Sequence, residues 1–571
     1  MPVHPRALVH FASVLAAATF GATGLSAQQP AAPDRALAAG VDSVFTDYDR
    51  SDSPGCALGV IRDGALVYAR GYGMANLDLG TALAPNSVLR IGSTSKQFTA
   101  AVIVLLAQDG TVHLDDDIRT YLPEIPDYGS TITIRQLLHH TSGIRDYLQL
   151  MALAGLRDDD WYTDDEVVAM IARQRTTNFA PGSEHLYSNS GYFLLSQIVK
   201  RATGRSLRDI AEDRLFRPLG MTHTHFHDDH TEIVPDRASG YAPDGAGGYR
   251  ISMTTLDMVG DGGVFTTVED LLQWDRNFYE PRVGGPAFLE MMLRRGVLTG
   301  GDTLDYALGL MHQPYRGLRT VRHGGAFVGY RAELIRFPEQ RFSVICLCNR
   351  ADASPTGLAE RVADVYLSDV LAARQTPVAA SGGAPTPVSV DREQLSRWAG
   401  LYRRLDAPGY FRFEVRNDSL VLMAFGNLAL VPVAPDRFIL REAPVEFRFA
   451  GDARQTRVTL LQSGNERAYV RVDAARYAAG ALEAFVGVYH SEELGVDYHV
   501  VLSDGGLRAQ RGRGDPMPLL PTVADEFMLD GDVVRFERDA DQRPSAFVLD
   551  AGRVRGMRFV QSDVVRSPLH Q

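Results

Sequence analysis

A linker-like segment divides this 571-residue chain into two parts of different character. Residues 375–391 include a run of alanine, serine, glycine and proline at positions 379–385 and show no apolar periodicity. Such composition is typical of a flexible connection between folded units. A chain of this length also exceeds what a single ordinary core can accommodate. The sequence therefore predicts separate folded units on the two sides of residues 375–391.

The part before the linker, residues 36–373, mixes helical and strand patterns. Asp63-Gly64 is a hairpin signal between two strand-like runs, and the residues after Ser93 keep helical apolar spacing to about position 109. Residues 113–280 are mainly helical with long loops. The other predicted elements are a helix at 36–48, strands at 57–62 and 66–72, a strand-rich stretch at 318–349 and a helix from 356 to about 373. We expect this unit to have a core of its own.

The part after the linker contains a weak internal repeat. Residues 395–402 (LSRWAGLY) are echoed by residues 482–489 (LEAFVGVY), and residues 432–438 (PVAPDRF) by residues 521–527 (PTVADEF). Each repeated unit spans about 90 residues. Short alternating strands separated by turn residues predict two small antiparallel barrels or sandwiches, at residues 392–478 and 480–571.

The N-terminus has the pattern of a secretory signal. Arg6 precedes an apolar, alanine-rich stretch, and Leu25-Ser26-Ala27 offers a cleavage site of small residues. We interpret residues 1–27 as a signal peptide, with a membrane anchor as the alternative. No later segment is long and apolar enough to span a bilayer. The sequence thus predicts a secreted or periplasmic protein, cleaved near Ala27, with no integral membrane segment in the mature chain.

Charge and cysteine content narrow the possibilities further. The net charge of −12 and the lack of any basic run argue against a nucleic-acid partner. Three cysteines are too few for a disulfide framework in a protein of this size. Cys346 and Cys348 alternate along one predicted strand, so they are not expected to pair with each other. Core packing is the main expectation for all three cysteines, and a bridge from Cys56 is the alternative.

Lysine is nearly absent: of 58 lysine and arginine residues, only Lys96 and Lys200 are lysines. Arginine stays charged at any workable pH, whereas a buried lysine can lose its proton and act as a base. Lys96 follows Ser93 by three residues, so on a helix both side chains lie on one face. This spacing predicts a nucleophile and its activating base within one helical turn. Lys200 lies near a predicted helix end, where a cation has a structural role.

Two further motifs carry polar groups suited to the same chemistry. In the segment that contains Tyr187 and Asn189, the phenol could relay a proton and the amide could hold Lys96 or a substrate carbonyl. Residues 323–326 (HGGA) precede a predicted strand, and their glycines would let a substrate backbone approach the strand edge closely.

In this order and spacing, the three motifs resemble the serine β-lactamase and penicillin-binding-protein superfamily, whose signature is Ser-x-x-Lys. The resemblance covers residues 36–373 and includes residues 137–144 (LLHHTSGI), 218–221 (PLGM) and 260–267 (GDGGVFTT), which are familiar in the class C-like branch. It implies an α/β catalytic domain, with an antiparallel sheet flanked by helices and a helical subdomain, followed here by two all-β units.

The resemblance also implies roles for individual residues. Ser93 would be the acylated nucleophile, Lys96 its base and Tyr187 a proton shuttle to the leaving group. Asn189 would orient Lys96 and the substrate amide. The backbone N–H groups of Ser93 and Ala326 would form the oxyanion hole. How Lys96 and Tyr187 divide the base role stays open.

The third motif departs from the usual family pattern. β-Lactamases and transpeptidases carry Lys-Thr-Gly where this chain has His323-Gly324-Gly325. An imidazole is a poorer anchor for a substrate carboxylate near neutral pH. The His-x-Gly form resembles D-aminopeptidases, D-amino-acid amidases and some family-eight esterases. D-Aminopeptidases also carry two C-terminal β-barrels, one of which reaches the active site through a loop.

His223, His225, His227 and His230 together look like a metal cluster. Alternating histidines on a loop are not one of the usual zinc-ligand spacings, and the chemistry of the superfamily needs no metal. We therefore expect no metal site and no cofactor. Trp274 and Trp398 are expected to be core residues rather than ligand platforms.

Three functional hypotheses follow from the motifs. The leading one is an exported serine hydrolase that is acylated on Ser93 and acts on small amides or esters, such as D-amino-acid amides, peptides or short-chain esters. One alternative is a β-lactamase or penicillin-binding D-Ala carboxypeptidase. Another is a catalytically silent cell-wall or peptide-binding protein with the same fold. The expected partner is a small-molecule or peptide substrate.

Overall fold

The computed structural model describes residues 35–372, 387–423, 427–440, 445–452, 455–462, 465–478, 480–512 and 514–562. The predicted signal peptide, most of the predicted linker and residues 563–571 lie outside these ranges. Within them, no helix has the length and apolar character that crossing a bilayer demands.

The helices lie almost entirely before residue 373. They are α1 (Arg35–Val44), α2 (Lys96–Gln108), α3 (Ile134–Leu138), α4 (Tyr147–Ala154), α5 (Asp164–Ala172), α6 (Asn189–Thr203), α7 (Leu207–Ala211), α8 (Arg217–Leu219), α9 (Val268–Asn277), α10 (Gly285–Met292), α11 (Pro355–Tyr366) and α12 (Arg392–Trp398). Local sequence starts several of them, since Thr133 and Thr163 form capping boxes and Asp146 caps α4. The first predicted helix ends early because residues 45–48 form turns.

The same part of the chain contains twelve strands. They are β1 (Cys56–Arg62), β2 (Ala65–Tyr72), β3 (Met74–Asn76), β4 (Thr81–Ala82), β5 (Leu89–Arg90), β6 (His225–Phe226), β7 (Tyr241–Pro243), β8 (Tyr249–Ile251), β9 (Val264–Thr266), β10 (Val321–Phe327), β11 (Tyr330–Phe337) and β12 (Phe342–Cys348). β1 and β2 form the predicted hairpin, and Asp63 and Gly64 both have the positive φ that its tight turn requires.

A five-stranded antiparallel sheet, in the order β10-β11-β12-β1-β2, is the centre of this unit. Helices α1 and α11 cover one face, and α9 and the helical region that includes α2 cover the other. Side chains of β1 alternate between the two cores: Leu58 and Val60 face α1 and α11, while Ala57 and Ile61 face the helical side. Because both faces are covered, β1 is one continuous buried run.

The structure corrects the main expectation for the cysteines. Cys56 and Cys348 form a disulfide, and Cys346 is a free buried thiol. The cause is sheet register, because β1 and β12 are antiparallel neighbours in which Cys56 lies directly opposite Cys348. The Cys56 bridge was only the alternative from sequence. Cys346 and Cys348 do not pair with each other, as predicted.

The C-terminal part consists of two β units. The strands of the first are β13 (Gly400–Arg404), β14 (Tyr410–Arg416), β15 (Ser419–Leu422), β16 (Leu428–Ala429), β17 (Val431–Ala434), β18 (Arg437–Ile439), β19 (Val445–Ala450), β20 (Arg457–Gln462) and β21 (Asn465–Val472). Those of the second are β22 (Gly487–Ser491), β23 (Val496–Ser503), β24 (Gly506–Arg511), β25 (Met517–Pro521), β26 (Glu526–Leu529), β27 (Asp532–Arg538), β28 (Pro544–Ala551) and β29 (Val554–Gln561). The first unit is a nine-stranded antiparallel sheet and the second is a closed eight-stranded barrel, which confirms the predicted fold class.

The internal repeat has a structural basis. In the first unit the Tyr402 hydroxyl donates to the Trp398 carbonyl at 2.9 Å, and in the second the Tyr489 hydroxyl donates to the Phe485 carbonyl at 3.0 Å. Each tyrosine thus ties the first strand of its unit to the helical turn before it. Trp398 is buried, and so is Trp274 in the N-terminal part, as predicted.

The second barrel packs directly on the helical side of the N-terminal unit. Tyr498 of the barrel and Leu153 of α4 belong to one apolar cluster, and the Tyr498 hydroxyl donates to the Leu153 carbonyl at 2.9 Å. Arg145, just before α4, pairs with Glu493 of the barrel at 2.9 Å. The self-contained core expected for residues 36–373 therefore does not hold at this face, where the core continues into the barrel.

Candidate active site

Ser93 and Lys96 meet at the start of α2. A 3₁₀ turn at Gly92–Ser95 leads directly into the helix, so the two side chains share one face, as their spacing predicts. The Lys96 Nζ lies 3.4 Å from the Ser93 Oγ. A hydroxyl and an amine are therefore held within reach of each other by one helical turn.

Lys96 is fully buried, yet each hydrogen of its ammonium has an acceptor. Nζ donates to the Asn189 side-chain oxygen at 2.8 Å, to the Asp261 carbonyl at 2.6 Å and to the Ser93 hydroxyl. The ring of Tyr187 lies 4.7 Å from Nζ. A buried cation is costly without such partners, so these contacts hold the ammonium against the serine.

The Tyr187 hydroxyl is buried and has no hydrogen-bond partner among the described residues. It borders the same cavity as Ser93 and Asn189. Leaving a buried polar group without a partner costs about 1–3 kcal/mol. The phenol is therefore available to a molecule that enters the cavity.

Strand β10 forms the opposite wall, and glycines allow it to approach the serine turn. A Cβ on Gly325 would lie 1.9 Å from the Ile91 carbonyl oxygen. A Cβ on Gly92, where φ is +51°, would lie 2.8 Å from the Ala326 nitrogen. Only glycine fits at these two positions. This close approach places Ala326 at the cavity beside Ser93. The glycines of β10 were expected to admit a substrate backbone, but Gly325 instead lets β10 approach the backbone of the serine turn, and Gly324 faces Glu333.

His323 is buried behind the cavity and is not one of its lining residues. Burial, with a smaller contribution from the positive charge of Lys96, lowers the pKa of His323 to about 4. The imidazole is therefore neutral at physiological pH. It does not replace the cation that the usual Lys-Thr-Gly motif supplies.

A chain of hydrogen bonds determines the tautomer of His323. The Ser188 N–H donates to His140 Nδ1 at 3.1 Å, so His140 Nε2 carries the hydrogen and donates to the Tyr306 hydroxyl at 3.1 Å. Tyr306 then donates to His323 Nε2 at 3.2 Å, and His323 Nδ1–H donates to the Gly324 carbonyl at 2.7 Å. This chain links the Tyr187–Asn189 segment to strand β10 without any charged member.

The cavity above Ser93 has a volume of about 190 Å³. Besides Ser93, Tyr187, Asn189 and Ala326, its lining side chains are Arg90, Tyr147, Leu148, Leu256, Met258, Asp261, Phe327 and Arg553. Asp261 is the one carboxylate among these lining residues, and the Tyr147 hydroxyl donates to it at 3.3 Å. Burial raises the pKa of Asp261 to about 6, although the charge of Lys96 opposes the shift. Asp261 is therefore ionised at neutral pH.

The second barrel reaches the cavity. The hairpin between β28 and β29 carries Arg553, whose guanidinium lies 5.0 Å from the Tyr187 ring centre and 3.4 Å from the Asp146 carboxylate. Asp146 in turn accepts the Asn189 N–H at 2.6 Å. Asn178 holds the hairpin in place by donating to the Arg553 carbonyl at 2.8 Å. A barrel residue thus contacts the groups that position Asn189.

The sequence profile described as Beta-lactamase matches residues 35–367, more than half of the chain. The chain belongs to the β-lactamase family. The superfamily resemblance carried by the three motifs is therefore confirmed, and this β-lactamase-family protein is a serine hydrolase.

Curated relatives of this β-lactamase-family chain include proteins named D-aminopeptidases. One from Cereibacter sphaeroides is 29% identical over 459 residues, covering 80% of this chain and 83% of the relative. One from Brucella anthropi is 26% identical over 466 residues, covering 79% and 82%. A solved structure, the octameric penicillin-binding protein homologue from Pyrococcus abyssi, aligns with a TM-score of 0.54 at 23% identity over 76% of this chain and 99% of that one. At this identity the structural likeness concerns the fold alone.

The four histidines of residues 223–230 do not form one group in this β-lactamase-family structure. His223 N–H donates to Asp270, and His230 pairs with Asp257. The ligand atoms of His225, His227 and Glu232, which we call the histidine–glutamate cluster, lie within 4.8 Å of one another and could hold a metal ion. Arg208 already binds the Glu232 carboxylate with two hydrogen bonds. The absence of a functional metal stays a prediction.

Several cavity residues carry no motif that sequence reasoning could have used. Arg90, Tyr147 and Arg553 were not proposed from sequence, and Asp261 was noted only as part of a family segment. The only sequence signal for Arg90 is its position three residues before Ser93. The only signal for Asp261 is its position in the family segment 260–267. Arg553 is hundreds of residues from Ser93, and only the packing of the barrel brings it to the cavity.

Proposed function

We propose that this enzyme hydrolyses amides of D-amino acids, and short peptides that begin with a D-residue, through an acyl-enzyme on Ser93. The observation that carries the proposal is the buried Lys96 ammonium, which bridges the Ser93 hydroxyl and the Asn189 side chain at the cavity. The D-aminopeptidase relatives, which match about four fifths of the chain, support the amide substrate class.

The reaction follows from the positions of these groups. Once the Lys96–Tyr187 pair has released one proton to solvent, Ser93 Oγ attacks the amide carbonyl carbon and the serine proton passes to that pair. The Ser93 and Ala326 N–H groups donate to the developing oxyanion. Collapse breaks the C–N bond, and Tyr187, whose hydroxyl is free of internal partners, supplies the proton with which the amine leaves. Water then hydrolyses the ester, which releases the D-amino acid and restores Ser93.

Two polar groups of the cavity can bind the amide carbonyl and the α-ammonium of such a substrate. Asn189 uses its side-chain oxygen on Lys96, so its NH₂ group is available to the substrate carbonyl of the amide. Asp261 is ionised at neutral pH and can accept the α-ammonium of a free D-amino acid amide. An acyl donor with a free amine and a compact side chain matches this combination.

The alternatives have less support. A β-lactamase or D-Ala carboxypeptidase would use a cation at the third motif, whereas burial keeps His323 neutral. A silent binding protein would have no use for a fully buried lysine held against a serine. Short-chain esters would follow the same acyl-enzyme route, so they belong in the test.

The test compares D-alaninamide, L-alaninamide, p-nitrophenyl butyrate and a chromogenic cephalosporin, with Ser93→Ala as the inactive control. We expect D-alaninamide to be hydrolysed about tenfold or more faster than its L-isomer. A mass increase on the Ser93 peptide is expected during turnover of a slow ester. Faster turnover of the cephalosporin than of D-alaninamide, or no D-amide hydrolysis, would overturn the proposal.

We also infer that the protein is exported, with residues 36–373 as the catalytic domain, 375–391 as the linker, and 392–478 and 480–571 as the two β-barrel domains. The Cys56–Cys348 disulfide supports export, because disulfides persist in oxidising compartments. N-terminal sequencing of the protein from the periplasmic or culture fraction should begin near Gln28. Recovery of a chain that retains Met1 in the cytosol would contradict this inference.

A further inference from the structure

Arg90 is a buried cation at the active-site cavity that the proposed reaction does not use. The residue is only 6% exposed, and it lines the cavity that contains Ser93. No described residue accepts a hydrogen bond from its guanidinium, and Nε is buried without a partner. Its closest aromatic neighbours are Phe327, 5.2 Å from the guanidinium carbon, and Phe265, at 5.9 Å.

This arrangement is exceptional within the protein itself. Among the described residues, four arginines are buried, and the other three each have a carboxylate partner: Arg145 with Glu493, Arg322 with Glu333 and Arg336 with Asp275. Burial lowers the pKa of Arg90, as expected for a cation that lacks such a partner. A buried charge is normally paired because its desolvation is otherwise uncompensated. Within the described ranges, Arg90 has no carboxylate in direct contact: the charges of Asp261 and Asp257 act on its guanidinium only from a distance, so the Nε–H lacks an acceptor that a substrate anion can supply.

The geometry points to Arg90 as the residue that binds a carboxylate of the substrate. Arg90 and Asp261 line one cavity with opposite charges, which matches an acyl donor whose ammonium meets Asp261 and whose carboxylate meets Arg90. Guanidinium and carboxylate form paired hydrogen bonds that are stronger than neutral ones. This inference rests on the proposed function for the amide bond that is cleaved. Among D-aminoacyl amides, it makes those that also carry a carboxylate the preferred substrates.

The anion site at Arg90 lies at a different end of β10 from the third motif, His323-Gly324-Gly325. Arg90 lies beside Phe327, at the last residue of β10, whereas His323 lies nearer the other end of that strand and is neutral. The carboxylate is therefore recognised at the Phe327 end of the cavity, by a residue two positions before Gly92. Two sources have the required chemistry: the side chain of an acidic D-residue, and the C-terminus of a short peptide.

Matched substrates that differ only in one charge test the inference. The first pair is D-glutamic acid α-amide and D-glutaminamide, which differ in the side-chain carboxylate. The second pair is D-alanyl-glycine and D-alanyl-glycinamide, which differ in the terminal carboxylate. We expect the wild-type enzyme to prefer the carboxylate member of one pair by about tenfold or more in kcat/KM. The pair that shows the preference identifies the source of the carboxylate.

Arg90→Gln should reduce that preference ratio to about one, and Arg90→Lys should restore part of it, because a lysine keeps the charge but not the paired geometry. Arg50→Gln, which changes an exposed arginine outside the cavity, should keep the ratio. Arg90→Gln is also expected to melt no lower than the wild type, since it removes a buried charge that has no described carboxylate in direct contact. A wild-type enzyme with no preference in either pair overturns the inference, even if the variant does not fold. An unchanged ratio in Arg90→Gln overturns it as well.

Failure of the proposed function gives a different result. If the wild type hydrolyses none of the four amides, the D-amidase proposal fails, and Arg90 is then tested by calorimetric titration of the same amides into Ser93→Ala protein. The anion site is supported if Ser93→Ala protein binds the carboxylate member of a pair more tightly and if this difference disappears when Arg90→Gln is added to Ser93→Ala. Equal binding within both pairs overturns it.

Discussion

Glu493→Gln is expected to destabilise the enzyme by about 3 kcal/mol, whereas the same change at the neighbouring Glu492 should have almost no effect. Both glutamates lie on the second barrel, and both pair with arginines of the N-terminal unit. The side chains of Glu493 and Arg145 are 11% and 1% exposed, with 2.9 Å between Oε1 and Nη1. The side chains of Glu492 and its partner Arg175 are 67% and 72% exposed.

The magnitude follows from burial. Removing one partner of a buried ion pair costs about 3–5 kcal/mol, because the other charge is left uncompensated. The lower end applies here, since Arg145 keeps four neutral acceptors: the Gln174 side chain at 3.0 Å, the Thr176 hydroxyl at 2.9 Å, the Arg555 carbonyl at 2.9 Å and the Gly556 carbonyl at 3.3 Å. An exposed pair such as that of Glu492 contributes about 0–1 kcal/mol.

Thermal unfolding followed by circular dichroism measures the difference. The N-terminal unit and the second barrel share one core of about 420 residues, for which an unfolding entropy of about 2.1 cal/mol/K per residue gives a shift of about 1 °C for each kcal/mol, so Glu493→Gln should lower the melting temperature by about 3 °C. Glu492→Gln is the matched control, since it removes one charge from the adjacent position of the same surface. Equal shifts for the two variants would refute the reasoning that burial of the Arg145 pair joins the barrel to the N-terminal unit.

Further predictions concern the active site and the domains. Lys96→Arg should remove nearly all activity with the fold intact, because arginine does not release its proton; a rate within about tenfold of the wild type would mean that Lys96 is not a proton acceptor. The kcat/KM for D-alaninamide should fall as pH drops through about 6, where Asp261 gains a proton and loses the charge that binds the ammonium, and Asp261→Asn should lack this acidic limb of the pH profile. Chelators should leave activity unchanged; loss with EDTA and recovery with zinc would assign a role to the histidine–glutamate cluster. Cutting the chain near Gly382 should give a catalytic domain with altered substrate preference, since it loses Arg553, and with lower stability, since Arg145 loses its partner; unchanged rates and an unchanged melting temperature would make the barrels independent modules.

Sequence alone determined the features that depend on local spacing. Ser93 and Lys96 are three residues apart at a helix start, so helical geometry alone brings their side chains to one face. The β1–β2 hairpin follows from Asp63 and Gly64, which accept the positive φ of a tight turn. The repeat predicted two β units because each carries its own turn and strand pattern. In all these cases the information lies in the order and spacing of residues along the chain.

The tertiary structure alone decided the features that depend on long-range register and packing. The Cys56–Cys348 bridge exists because β1 and β12 are antiparallel neighbours with those residues opposite each other, which no local pattern specifies. No sequence pattern marks Arg90, and only the folded structure shows that its side chain is buried with an Nε unpartnered among the described residues. Arg553 enters the cavity because the second barrel docks on α4. The physical reason is that burial and charge pairing depend on which distant segments pack against each other and exclude water, whereas a motif contains information only about residues close in sequence.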